Sequence, residues 1–584
     1  MTIEYLTLGV YFTLLLVLGA VFARFNKNLS DFSRGGSRLT WWMVGMSNLM
    51  AGISAFTFTG NGSSAFEAGP SMLVIYLANV LGHLAGWLYL AHRYRQTRAY
   101  TTADIVRERF GGRAEQFGVY VGLLLGPVGA SIQLWALAVF VSAVFGFPIM
   151  LTIITIGVIT VFYSASGGAW AVVATDFVQG VVLFGITLLI AVLAWFAVGG
   201  WDGFVAGWQS AGIAEDFVFF KEPGQFSGDR YTWQWAAVIF TMSFISQTNM
   251  ASANRYLSVK DGREARKAAL FSMVLMAVGT AVWFLPPMVA RMLYEAQVME
   301  SGIKDPATTA YAVAARNLLP NGLMGVLIAA MFAATMSSMD TGLNNQTSVI
   351  VRNLLPRLRE LLKLPPLREE RQLRLCRIIS VALGVVIIGY ALLFSLQDKI
   401  VLFDAYLTIG SVVGVPMALP LLVGVIFRRL PSWSYFVIMG SALVPSIYSL
   451  IDGAQGGAAW TIQARSFWVL MFGLTGTVVS LALVRLSTDE SRERVRGFFE
   501  KMETPVDFEN EIGQANDHTQ AVLLGRSVSV MGVLMFAFLL MPNAAGGRWQ
   551  IVGLAGFTLL VGAVLWLYGV RGNRARRQRA ASQE

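Results

Sequence analysis

The 584-residue sequence predicts an all-α polytopic membrane protein, with about fifteen spans at roughly 20 apolar residues each. Three observations carry this. Hydrophobic residues make up 55% of the chain and charged residues only 13%, against roughly 25% charged in soluble globular domains. Apolar stretches of bilayer-crossing length recur from one end to the other. The 44 Lys and Arg fall mostly in short loops between those stretches, where the positive-inside rule puts them.

In order, the spans lie near 4–23, 40–65, 71–92, 116–143, 147–164, 171–198, 233–252, 268–292, 322–349, 373–396, 400–427, 433–452, 466–486, 521–541 and 550–570. The first lacks a basic leader and a small-residue cleavage site, so it reads as a retained helix. Taking 24–38 as cytoplasmic and alternating from there puts Arg93, Arg95 and Arg98 on that side. The basic segments 255–267, 352–377, 428–429, 485–501 and 571–579 join them. That places the N-terminus outside and the C-terminus inside the plasma (inner) membrane. The outer loops 199–231 and 294–320 are long enough for short helices. Residues 101–110 read as an amphipathic helix at the interface, and 486–519 as a charged cytoplasmic linker.

These features exclude several functions. The net charge of +10 is loop-borne and does not indicate nucleic acid. A single cysteine, Cys376, allows no internal disulfide and no cysteine-based metal site. His83, His92 and His518 lack ligand spacing. There is no phosphate loop and no nucleophile–base pair, so the chain is not expected to be an enzyme. The partners expected are the lipid bilayer and a small-molecule solute; nothing specifies an oligomer.

A span that only anchors needs nothing but apolar residues, and four spans depart from that. The second carries Gly45, Gly52, Gly60 and Gly62 with Ser54, Thr57 and Thr59. A helix break there frees backbone carbonyls for protein, water or an ion; tight helix packing is the alternative. The sixth holds Asp176 more than a turn inside its apolar boundary, where a carboxylate marks an ion path or a fixed partner. The seventh carries Gln247 and Asn249, adjacent amides that must face a cavity or another helix. The ninth places Ala334, Ser337, Ser338 and Thr341 on one face, with Asp340 beside them. Hydroxyls together with loosened carbonyls suit a hard monovalent cation such as sodium.

These stretches resemble the sodium:solute symporter family of sodium/glucose, sodium/proline and sodium/sialic acid cotransporters. The matching residues are Gly167-Gly168, Thr175-Asp176 and Gln179, then Asn254-Arg255, Leu257, Lys260, Arg266 and Lys267. They continue through Leu319-Pro320, Gly322, Gly325, Ala333-Ala334, Ser337-Ser338 and Leu343-Asn344 to Gly414, Pro416 and Phe427-Arg428-Arg429. The resemblance implies a LeuT-type core of two inverted five-helix repeats, each led by a broken helix. Residues 1–38 would then be an accessory span and loop, 39–200 the first repeat and 201–231 an extracellular loop. The second repeat would be 232–430, followed by peripheral spans at 431–486, a cytoplasmic linker at 487–519, and the last spans and basic tail at 520–584.

Carried over by motif, the resemblance implies sodium bound by the Met50, Ile53 and Ala334 carbonyls and the Ser337 and Ser338 hydroxyls. It implies a possible second cation at Asp176, Ser337, Asp340 and Thr341, with Asp340 standing where a Ser or Thr is usual. Two carboxylates there could instead share a proton. The familiar solute signatures are absent: Tyr76 replaces the sugar carriers' carboxylate, Leu407 or Thr408 their glutamine, and Gly52 the proline carrier's aspartate. No basic residue lies between Tyr120 and Phe145, where the sialic acid carrier has an arginine. Candidate solute contacts are Thr57, Tyr76, Asn79, Gln133, Gln247 and Asn249. The expected function is sodium-driven uptake of a small organic solute by alternating access. The alternatives are proton coupling through Asp176 and Asp340, or a sensor that kept the fold without transport.

Overall fold

The computed structural model describes residues 2–25, 28–166, 168–397, 402–456, 460–513 and 517–581, all helix and connection apart from one isolated bridge between Leu39 and Val259. Gly167 of the motif and the first residues of the span near 400–427 lie outside them.

The chain opens with α1 (Thr2–Ala23) and a short α2 (Leu29–Arg34). The first broken helix follows as α3 (Trp41–Ala51), α4 (Ala55–Phe58) and α5 (Gly60–Ala68). Next come α6 (Leu73–Ala85), α7 (Ala91–Gln96) and α8 (Thr102–Phe110), the expected amphipathic helix, with Thr101 and Asp104 closing its capping box. Three long spans complete the first half: α9 (Gly112–Phe145), α10 (Ile149–Ser166) and α11 (Ala169–Val198). The loop after them holds α12 (Gly200–Ser210).

A second broken helix begins as α13 (Trp233–Thr248) and continues past Asn249 in the tight turns Met250–Ser258. After it run α14 (Gly262–Leu293), the short α15 (Glu295–Met299) and α16 (Ala310–Leu318), then α17 (Leu323–Val349). They are followed by α18 (Leu355–Leu361), α19 (Glu369–Leu396), α20 (Leu402–Ile409) and α21 (Val415–Ile426). The remainder is α22 (Ser434–Ala454), α23 (Ile462–Ala482), α24 (Asp489–Glu503), α25 (Phe508–Glu511), α26 (Asp517–Met535) and α27 (Ala545–Ala581).

Among the described residues eleven helices are long and apolar enough to cross a bilayer, and two shorter apolar helices accompany them. The count falls below fifteen for a physical reason. The breaks shorten α3 and α13, and the second half of the first broken helix runs on with the next span as one apolar stretch, Ala55–Gln96. Residues 487–519 contain a regular helix, α24, with a Thr488 cap.

α17 sits at the centre. From Leu323 to Asp340 nearly every side chain is buried, so this span faces protein on all sides. α11 and α3 pack beside it, and α3 approaches α11 closely because residue 180 is glycine. A Cβ there would lie 2.3 Å from the Met46 sulfur. The central core joins α1, α3, α11, α14 and α17 in one apolar cluster. The lipid-facing character of the rest is plain in exposed side chains such as Phe162, Phe196 and Val385.

Candidate cation and solute site

Both broken helices stop where a local bond replaces the helical ladder. In the first, the amides of Gly52 and Ile53 fold back to the carbonyls of Leu49 and Met50, at 2.9 and 3.2 Å. Ser54 is extended and caps the next half-helix, accepting from the Phe56 amide, while Thr57 answers in a capping box. In the second, the Asn249 side chain performs the same task. Its carbonyl accepts from the Ala251 amide at 2.8 Å, and its amide donates to the carbonyls of Ile245 and Ser246.

The first break lies against α17, where the Ala55 amide donates to the Thr335 hydroxyl at 2.9 Å. Two residues along, Ser337 is buried, with its hydroxyl directed to Asp176. Ser338 donates toward the Ala334 and Thr335 carbonyls and toward Gln133, whose side-chain oxygen is 2.8 Å away. Met50, Ile53 and Ala334 are fully buried.

Below them lies a charged cluster. Asp176 on α11 accepts from Ser47 on α3 and pairs with Arg255 at 3.4 Å. The same guanidinium donates to Thr341, and Thr341 donates to the Ser337 carbonyl at 2.8 Å. Asp340 accepts from Ser164 of α10. All three charged groups are buried. Of the four residues expected at a second cation, Asp176, Ser337 and Thr341 therefore meet around a cation the protein itself supplies. Arg255, read from the sequence as one of the loop charges of 255–267, is instead a buried partner of Asp176.

The solute candidates divide. Thr57 and Tyr76 are both buried, and the Tyr76 hydroxyl accepts from Asn61 at 2.8 Å. Gln133 reaches α17 as above. A cavity of about 90 Å³ opens between α13 and α20–α21, lined by Met242, Ser243, Ser246, Tyr406, Gly410 and Gly414. The Phe56 and Tyr406 rings, 4.9 Å apart, place it beside the first break. Gln247 turns away, toward His83 at 3.3 Å, in a polar cluster with Asn48, Tyr256 and Ser272. Asn249 is spent on its cap, and Asn79 is half-buried on α6.

Two helices broken at midspan, facing an enclosed third helix that offers hydroxyls, define a secondary transporter. The family model for the Sodium:solute symporter family matches residues 32–436, and the chain belongs to that family. Its relatives include the Sodium/sialic acid symporter NanT of Aliivibrio fischeri, 24% identical over 82% of this chain and 91% of the relative. Sodium/glucose cotransporter 1 of Ovis aries is also 24% identical, over 72% of this chain and 67% of the relative. Among solved structures, a substrate-bound, outward-open Na+-coupled sialic acid symporter matches with a TM-score of 0.69 at 18% identity, covering 83% of this chain and 98% of the other. That likeness gives the LeuT-type fold. The chain is accordingly a sodium-coupled solute symporter and not an enzyme.

Proposed function

We propose that one sodium ion binds at Met50, Ile53, Ala334, Ser337 and Ser338 and drives a small organic solute inward by alternating access. The observation that carries this reading is that the first break ends against α17, where the Ala55 amide donates to Thr335 beside the buried Ser337 and Ser338 hydroxyls. Oxygen groups gathered in a dry interior suit a hard cation that they can share. Sodium would fasten α3 to α17 and thereby shape the solute pocket, so ion and solute tighten each other. One charge moving down 100 mV supplies about 2.3 kcal/mol, roughly fifty-fold in solute gradient.

The solute would lie between Thr57, Tyr76 and Gln133 on one side and Ser243, Ser246 and Tyr406 on the other. At the second position, Arg255 takes the part of a bound cation toward Asp176, which favours a single sodium per cycle. The basic face, carrying α8 and α24, would be cytoplasmic. Uptake of labelled metabolites into proteoliposomes, with sodium or choline outside at fixed pH, tests the reading. Uptake that persists in choline rejects sodium and points to protons; binding without accumulation points to a sensor.

A further inference from the structure

On the basic face, a single aromatic ring joins the two helices that bracket the proposed sodium path. Arg34 ends α2, just upstream of α3, and Arg352 lies in the wide turn Ile350–Leu354 that ends α17. The Arg34 guanidinium carbon is 3.8 Å from the centre of the Tyr100 ring, and that of Arg352 is 4.0 Å. Two planar guanidiniums cannot share one face of a ring at that range, so each takes its own. Both distances are well inside the cation–π limit of about 6 Å.

Bringing two like charges together needs compensation, and the surroundings provide it. Arg352 donates to Asp104 at 2.8 Å, and the Tyr100 amide donates to the same carboxylate oxygen at 3.2 Å. Arg34 donates to the carbonyls of Arg98 and Ala99, at 3.0 and 2.8 Å. Behind the ring, Phe32 of α2 packs on Val351 and on Cys376, both buried. Tyr100 itself lies in the non-helical link between α7 and α8 and is only half-buried, so its ring can leave without unwinding a helix.

We infer that Tyr100, held between Arg34 and Arg352, is a latch that pins the leading end of the first broken helix to the trailing end of α17 and parts when the basic face opens. The contact is electrostatic, with Arg34 buried on one side and Arg352 partly open to water on the other, so solvent can enter from the Arg352 side. A tie between the ends of α3 and α17 holds the two helices together on this face.

Cys376, the chain's single cysteine, is buried against Phe32 in that cluster and serves as a native reporter. The test is its rate of modification by N-ethylmaleimide, followed by mass spectrometry in nanodiscs. Choline replaces sodium, no solute is added, and each variant is held below its melting transition. Tyr100→Phe keeps the ring and should react at the wild-type rate, whereas Tyr100→Leu should react about tenfold faster. Leu at the wild-type rate, or Phe as fast as Leu, overturns the latch. If Tyr100→Leu does not fold, Arg34→Gln carries the same test, since it removes one of the two cations from the ring. A wild-type rate there overturns the proposal equally. Because neither sodium nor solute is present, the result stands apart from the symport reading.

Discussion

Ala55 and Thr335, far apart in sequence, are joined by a 2.9 Å bond from backbone amide to hydroxyl. Ala55 is the first helical residue beyond the break, so its amide has no partner within its own helix. A neighbouring span supplies one. The break is thereby finished by α17, and the position of one helix end depends on a side chain of the other.

Thr335→Val removes the acceptor at nearly constant volume and strands a buried amide. It should cost about 1–3 kcal/mol of stability, and Thr335→Ser should recover most of it. Thermal melting of the purified protein in detergent measures both; a Val variant that melts with the wild type would show that the bond is incidental.

Ser337→Ala with Ser338→Ala removes both hydroxyls of the proposed sodium site and exposes nothing new. Binding of radioactive sodium to the purified protein should disappear while expression and monodispersity persist. Wild-type sodium affinity in this double variant would refute the site.

Arg255→Gln should destabilise severely, by about 3–5 kcal/mol, because it leaves buried carboxylates without their counter-charge. Adding Asp176→Asn should return a large part of that loss. The melting temperatures of the two singles and the double form a cycle whose coupling reads the pair directly. Additive effects would mean that the 3.4 Å approach carries no net energy.

Much of this was legible in the sequence. Gly45, Gly52 and the flanking hydroxyls announced the first break because a continuous lipid-facing helix has no use for them. That Ser337 and Ser338 share one helix face with Ala334 and Thr341 was readable from helical spacing. Thr335 was not: it lies about 100° around the helix from Ala334, off the stripe formed by 334, 337, 338 and 341. Its role depends on where another chain segment ends, which no local pattern records. The same holds for Ser47 and Ser164, each ordinary in its own span and each bonded to an aspartate on another. Asn249 illustrates the opposite error. An amide inside a span suggested a solute contact, and the structure spends it on capping. The order in 489–503 was hidden by its charge, since a helix lying on the ends of α7 and α8 needs only one apolar edge, here Val495, Phe498, Phe499 and Met502.

Lys221, in the loop opposite the basic face, offers a pH test. Its amine donates to the carbonyls of Ala68, Asp216 and Val218, and burial pushes its pKa down from 10.5 to about 8. The folded state therefore holds fewer protons than the unfolded one between those values. Stability from this group rises with pH through that window and is lost as pH falls through about 8. Lys221→Met should flatten the slope of melting temperature between pH 8 and pH 10. A variant with an unchanged slope would place the titration elsewhere.

The interruption at residues 52–54 has a mechanical meaning. A rod with an intact ladder can bend only by stretching its amide bonds, whereas α3 and α4 are separate rods sharing a three-residue joint whose hydrogen bonds are local. Either rod can tilt while the other stays seated, and no bond in either is strained. A passage through the protein can therefore open toward one aqueous compartment and then the other by swinging short levers, with every helix remaining a helix throughout.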